Sequence, residues 1–381
     1  MARPRILVVD DEPGMLRTIE RVLSARYDLR AVRLPGEALA AAELERFDVA
    51  ILDVRMPEMD GFAVMARLGV LQPDLDVIMM TGSTDERDAR LIRAIRDRAF
   101  FFLTKPFDRE VLLTLVQRCL EARRLTQENR AHVSMLECEL RAARVFQLSL
   151  LPDATASRNG FEVSFLYEPC VELGGDFCDY VLRDDAPGAI LVSDVSGHGA
   201  PAAMITGMVK QAFHAALGDD FAPAAVLERI AGASRLFPDG RYVTATAVRF
   251  DSGKTTLEYA SAGHPPALRL ARDGSIVMLD PSAPMIHPSL PAWQCEQRVI
   301  PMGIGDQLLL YTDGLTEAQN SEGDEFGFER LVALLPQIAR TAASDDAGGT
   351  RLLGVLRQEL ARFAGGRPLN DDLTLALVRR L

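Results

Sequence analysis

Over the first 120 residues short apolar runs alternate with helically spaced stretches, and that alternation leaves few folds open. The runs lie at 5–9, 49–52, 76–80 and 99–103, with a weaker one at 28–32. Between them Met15, Ile19, Val22 and Leu23, and later Leu91 and Ile95, recur at helical spacing. Runs that are apolar throughout read as strands buried on both faces, and strand–helix repeats imply a parallel sheet covered on both sides. The predicted fold of this part is a doubly wound α/β sheet of the (βα)5 type, whose ligands sit at the carboxyl ends of the strands.

The polar residues at those ends carry the chemistry. Asp10 and Asp11 follow the first strand, Asp53 the third, Thr81 the fourth and Lys105-Pro106 the fifth. Three adjoining carboxylates repel one another unless a cation sits among them, and an oxygen-only donor set suits Mg²⁺. Asp53 is then placed for in-line attack on a phosphoryl group, with Thr81 and Lys105 pairing with its oxygens. Of the 42 basic residues only Lys105, Lys210 and Lys254 are lysines. One of the three stands where a compact ammonium suits a phosphoryl group. A single such acid is read equally well as a cap on the next helix; the whole set at successive strand ends is not accounted for that way. The set resembles the receiver domain of two-component response regulators, over about residues 4–120. By that resemblance Asp53 is the phosphoacceptor, and Asp10, Asp11, Asp53 and the Arg55 carbonyl hold Mg²⁺. Thr81 and Phe102 are the switch pair, and Lys105 is the pocket lysine, joined to Pro106 by a cis bond. Arg98-Ala99 stands where the family usually has Gly-Ala. The phosphoryl donor implied is a sensor histidine kinase or a phosphotransfer protein.

Residues 121–150 contain no Pro or Gly and are rich in Glu, Arg, Leu and Ala, so helix propensity is high. Val133, Leu136, Leu140 and Ala143 follow the seam of a coiled coil, weakened upstream by Thr126 and Asn129. Two readings stand: a solvated helical spacer, or a short parallel homodimer helix that carries receiver state onward.

From 151 to 381 many short strands are punctuated by Gly and Pro, at 161–168, 188–194, 243–250, 254–261, 306–311 and 373–379. Helical patterns fall at about 200–217, 222–236, 326–340 and 350–364, which together read as packed antiparallel sheets with helices outside. Four acidic motifs stand at strand edges: Gly174-Gly175-Asp176-Phe177-Cys178-Asp179, Ser193-Asp194-Val195-Ser196-Gly197-His198-Gly199, Tyr311-Thr312-Asp313-Gly314 and Asn370-Asp371-Asp372-Leu373-Thr374. Carboxylates with hard oxygen neighbours suit Mg²⁺ or Mn²⁺ rather than zinc. Two such ions activate a water toward a phosphoester without a covalent nucleophile.

Singly each motif is as well read as a turn. In this order, with ARVFQLSLLP at 143–152, DVSGHGAPAAM at 194–204, SAGHPPAL at 261–268, GDQLLLYTDGLTEA at 305–318 and NDDLTLALV at 370–378, they resemble the SpoIIE-type branch of the PPM metal-dependent serine/threonine protein phosphatases. The resemblance implies an α-β-β-α sandwich. It makes Asp176, Asp194, Asp313 and Asp371 the catalytic carboxylates holding two Mn²⁺ or Mg²⁺, with Asp194 bridging and the Val195 carbonyl a further ligand. Asp179 and Asp372 match family positions as weaker ligand candidates, while His198 and His264 read as structural. Cys178 departs from the usual Tyr, and Ala283-Pro284-Met285-Ile286 lacks a usual Gly. The implied substrate is a phosphorylated anti-sigma-factor antagonist of the STAS type. GGDFC also resembles the GGDEF signature of diguanylate cyclases, which leaves the other three motifs unexplained.

The organisation expected is a receiver at 1–120, a helical linker at 121–150 and a phosphatase at 151–381. Of the net charge of −12, the last part carries −11, from 19 basic and 30 acidic residues. That disfavours a nucleic-acid or anionic-membrane partner, and no basic helix-turn-helix segment is present. Five cysteines without a CxxC pair, no leader pattern and no apolar run of spanning length fit a reducing cytoplasm. The competing reading is an adaptor that keeps the phosphatase fold for binding alone; Mn²⁺ titration separates the two.

Overall fold

The computed structural model describes residues 3–82, 101–217, 221–237, 240–290, 292–342 and 348–381. They pack as two units, Met1–Leu136 and Glu137–Leu381.

In the first unit strands β1 (Arg5–Val9), β2 (Asp28–Val32), β3 (Val49–Asp53), β4 (Asp76–Thr81) and β5 (Phe101–Thr104) form one parallel sheet in the order β2-β1-β3-β4-β5. Helices α1 (Pro13–Leu23), α2 (Pro35–Leu44) and α3 (Gly61–Leu71) connect the first four strands. The period-two alternation of a strand divides β1 between two cores. Leu7 and Val9 pack with Ala38, Ala41, Val64 and Leu68 of α2 and α3, and Ile6 and Val8 pack with Leu16 and Ile19 of α1. That is the doubly wound receiver fold. The helix expected around Leu91 and Ile95, and the Arg98-Ala99 departure, lie outside the described residues. The helix expected over 121–150 is the later part of a longer one, α4 (Arg109–Ser149), whose Leu112, Val116 and Cys119 join the receiver core.

The second unit is a sandwich of two antiparallel sheets. One orders β14 (Arg298–Pro301), β11 (Thr256–Ala262), β10 (Val243–Phe250), β9 (Gly188–Val195) and β8 (Phe177–Val181). The other orders β13 (Ile276–Leu279), β12 (Ala267–Leu270), β15 (Gln307–Tyr311), β16 (Leu373–Arg380), β7 (Phe161–Glu168) and β6 (Thr155–Arg158). Their inner faces share a core that includes Ile190, Val192, Val248 and Tyr259 from the first and Val163, Leu308, Leu310 and Val378 from the second. Helices α5 (Ala200–Ala216) and α6 (Pro223–Ala233) cover the first sheet through Ile205, Val209, Phe213 and Ile230. Helices α7 (Phe328–Ala342) and α8 (Gly348–Ala364) cover the second through Leu331, Leu335, Leu352 and Leu356. The layers therefore run α-β-β-α, as expected. The strands missed by sequence, β6, β8 and β12 to β14, are all five residues or fewer. So short a run shows no decisive period.

Candidate active sites

In the receiver unit the strand order brings the carboxyl ends of β1, β3, β4 and β5 side by side. Carboxylate oxygens of Asp10, Asp11 and Asp53 lie within 4.8 Å of one another. Lys105 Nζ sits 2.7 Å from Asp10 Oδ2 and 2.7 Å from Asp53 Oδ1. Burial raises the Asp53 carboxyl above the ordinary carboxylate range, against the hydrogen bond and charge of Lys105 and the N–H of Arg55. Burial works against the Lys105 ammonium too, but its bonds to Asp10 and Asp53 prevail and its affinity for a proton is raised. Thr81 is buried at the end of β4, Phe102 packs against the α2/α3 core, and the Lys105–Pro106 bond is cis. Three carboxylates against one ammonium leave an excess of negative charge among oxygen donors only, a donor set that fits a divalent Mg²⁺.

In the second unit Asp176 precedes β8, Asp194 lies near the end of β9, Asp313 follows β15 and Asp371 precedes β16. The fold gathers them. Asp194 is half-buried, no donor among the described residues binds its carboxylate, and its acidity is pushed to about 8. Burial is the largest cause, followed by the charges of Asp313, Asp371, Asp372 and Glu317. Asp313 is pushed to about 6 by burial and by Asp371 and Glu317. Asp176 is raised well above its ordinary value by burial and by Asp194, although Thr312 and Thr374 donate to its Oδ2 at 2.7 and 2.6 Å. Asp371 is raised mainly by burial. Carboxyls raised together by burial and by one another's charge form an oxygen donor set that fits divalent metal ions. The backbone approaches as closely as the carboxylates. A Cβ on Gly175 would lie 2.4 Å from the Val195 carbonyl oxygen, and one on Gly314 would lie 2.0 Å from that of Asp372. Only glycine fits either place.

The weaker candidates separate from the others. Asp372 turns its carboxylate to the backbone: Oδ1 accepts from Cys170 N–H at 2.8 Å, and Oδ2 from Gly175 and Asp176 N–H at 2.7 and 3.4 Å. Asp179 Oδ2 is held by Lys210 Nζ at 2.5 Å and His214 Nε2 at 2.7 Å. His198 is exposed, and His264 is buried and neutral, held down to about 3 by burial, with Nδ1 2.8 Å from Thr244 Oγ1. Two neighbours of the site escaped the sequence reading. Glu317 follows Asp313 by one helical turn, and its N–H donates to the Asp313 carbonyl at 2.8 Å. The signal was the i, i+4 spacing of two acids in GDQLLLYTDGLTEA. Cys170 places its sulfur within 4.8 Å of oxygens of Asp371 and Asp372, and burial holds the thiol protonated, at about 12. Nothing in its sequence context marked it.

A family model described as Stage II sporulation protein E (SpoIIE) matches residues 184–381, more than half of the chain. The chain belongs to the SpoIIE family. The response regulator receiver domain matches residues 6–117, so a receiver is fused to the SpoIIE-type phosphatase unit. Among solved structures, the SiaA-PP2C domain of Pseudomonas aeruginosa is 25% identical with a TM-score of 0.56, covering 66% of this chain and 99% of that domain. The RsbU and RsbW domains of a Mycobacterium tuberculosis protein are 26% identical with a TM-score of 0.50, covering 60% and 61%. Among curated proteins, IcfG of Synechocystis is 25% identical over 284 residues, 67% of this chain and 43% of IcfG. DctD of Rhizobium meliloti, a C4-dicarboxylate transport transcriptional regulatory protein, is 34% identical over 131 residues, 34% of this chain and 28% of DctD. The chain thus spans less than half the length of either curated relative. No helix among the described residues is long and apolar enough to cross a membrane.

Proposed function

We propose that this SpoIIE-family chain is a response regulator whose output is metal-dependent dephosphorylation of a phosphoserine or phosphothreonine protein, controlled by phosphorylation of Asp53. The observation that carries the reading is the convergence of Asp176, Asp313 and Asp371 on an Asp194 that no donor among the described residues satisfies. Two Mn²⁺ or Mg²⁺ ions held by these four carboxylates and the Val195 carbonyl would supply an acidified water and charge neutralisation at the phosphoester. The chain's own residues orient that chemistry. Thr312 and Thr374 fix one oxygen of Asp176 and leave the other without a donor among the described residues. Asp372 holds the Gly175 turn so that the Val195 carbonyl approaches, and Glu317 adds negative charge at the rim. In the receiver, Asp53 is the acceptor of a phosphoryl group from a histidine kinase or phosphotransfer protein. Lys105 pairs with the added oxygens, and Thr81 and Phe102 read the change. The substrate class suggested by the family resemblance is a phosphorylated anti-sigma-factor antagonist of the STAS type.

The deciding experiment is hydrolysis by the full chain of an aryl phosphate and of a panel of phosphorylated antagonist proteins. It is run with Mn²⁺, with and without beryllofluoride as a phosphoryl mimic at Asp53. Mn²⁺-dependent turnover that changes with the mimic is expected; no Mn²⁺ binding by residues 151–381 favours the adaptor instead. Asp53→Asn is expected to abolish the mass gain on incubation with a small acyl phosphate and to leave aryl phosphatase activity insensitive to the mimic. Val133, Leu136 and Leu140 on α4 are 48, 58 and 40% exposed, an apolar seam that supports a homodimer. The full chain is expected to sediment as a dimer at tens of micromolar and Leu136→Asp as a monomer; a monomeric wild type rules the dimer out.

A further inference from the structure

Lys210 is one of only three lysines in the chain, and it lies on α5 outside both carboxylate clusters. Its Nζ is 2.5 Å from Asp179 Oδ2 and donates to the Leu150 carbonyl at 2.7 Å. Leu150 comes directly after the end of α4, where the last carbonyls lack helical donors and the helix dipole is negative. One ammonium therefore ties a helix terminus to the middle of β8. One turn earlier, Gln147 is buried and gives its whole amide to a single residue. Its Nε2 donates to the Gly174 carbonyl at 2.8 Å, and the Gly174 N–H donates to its Oε1 at 3.2 Å. Gly174 stands two residues before Asp176, and Asp179 three after. The last turn of α4 is thus bonded to the Asp176 segment on both sides of that carboxylate.

We propose that Gln147 and Lys210 are positioning residues of the phosphatase site, fixing the 174–179 segment, and with it Asp176, to the end of α4. The inference rests on the phosphatase reading and extends it beyond the carboxylates. Its logic is geometric. Thr312 and Thr374, from the other sheet, hold Asp176 Oδ2. A side chain gripped at its tip keeps its free oxygen on target only if its backbone is held as well. Asp372 holds the Gly175 N–H, which leaves the Gly174 carbonyl and N–H to Gln147. Gly174 is buried, so without Gln147 both of its groups lose their partner and the turn must move to satisfy them.

The test uses the full chain. Gln147→Leu removes both bonds at similar volume, Gln147→Glu keeps only the acceptor, and Lys210→Met removes the cation while keeping most of the stem. The readouts are Mn²⁺ affinity by electron paramagnetic resonance, kcat and KM on an aryl phosphate, hydrogen exchange of peptides covering 170–177, and melting temperature as the control on folding. Gln147→Leu is expected to weaken Mn²⁺ binding about 10- to 100-fold, lower kcat with little change in KM, and speed exchange at the Gly174 amide. Gln147→Glu should fall between it and wild type, and Lys210→Met should show the same pattern more weakly. A folded Gln147→Leu with wild-type Mn²⁺ affinity and exchange overturns the inference. If Gln147→Leu does not fold, Lys210→Met decides by the same readouts. A wild-type chain without Mn²⁺-dependent hydrolysis overturns the phosphatase reading and this one with it. An active wild type with indifferent variants overturns this one alone.

Discussion

Asp194→Ala is expected to lower Mn²⁺-dependent hydrolysis of an aryl phosphate by roughly 10³-fold or more, the scale on which losing one member of a catalytic unit acts. It should leave phosphoryl incorporation at Asp53 intact. Asp194 is the carboxylate on which the charges of Asp313, Asp371 and Asp372 converge, so no neighbour can replace it without meeting the same repulsion. The same substitution removes a carboxylate whose charge burial opposes. The metal-free variant is therefore expected to melt higher than the metal-free wild type near pH 8. Activity lost and stability gained in one variant is the signature of a site strained for its ligand. Full activity in Asp194→Ala would remove the assignment. A lower melting temperature would show that Asp194 supports the fold.

The second large effect is in the pH dependence of the metal-free chain. In the folded state Asp194 keeps its proton up to about 8 and Asp313 up to about 6, against 3.8 for an unperturbed carboxyl. Between those values the folded state binds more protons than the unfolded one, so stability falls as pH rises. The contribution is complete below the ordinary carboxyl range and is lost as pH climbs through 6 and then 8. The melting transition of residues 137–381 is thus expected to drop steadily from about pH 5 to about pH 8. Mn²⁺ should reverse the drop, because an ion that binds only the folded state stabilises it by mass action. Its apparent affinity should increase over the same window, as each proton displaced from Asp313 and Asp194 ceases to compete. Scanning calorimetry with a chelator and with Mn²⁺ checks both. A metal-free transition that is flat or rises across the window would mean that these acids find compensation elsewhere.

Much of this architecture is legible in the sequence. The long strands Phe161–Glu168 and Val243–Phe250 and the strand–helix alternation of the receiver follow from apolar pattern alone. The edge strands do not: Ile276–Leu279 is half solvent-facing, and four residues carry too little periodicity to tell a strand from a loop. At the site, the acids could be found but not sorted. Asp371 and Asp372 are identical neighbours in the chain. Only the folded backbone shows that three N–H groups point at the second, while the charge of the first acts on Asp194 and Asp313. Asp179 looked like a ligand because it closes the GGDFCD motif. Lys210 and His214, 31 and 35 residues away, reach it only once α5 packs on its sheet.

That division of labour inside the Asp371-Asp372 doublet has an evolutionary edge. Asp372 knits Cys170, Gly175 and Asp176 together without any ion, whereas Asp194, Asp313 and Asp371 repel one another. A lineage under no selection for turnover could shed those three acids at little cost, or even some benefit, to the fold, while position 372 stayed acidic to keep the turn closed. In comparing descendants, an intact Asp372 would therefore report only that the scaffold survives. The pair Asp194 and Asp371 would distinguish a working hydrolase from a silent binding partner.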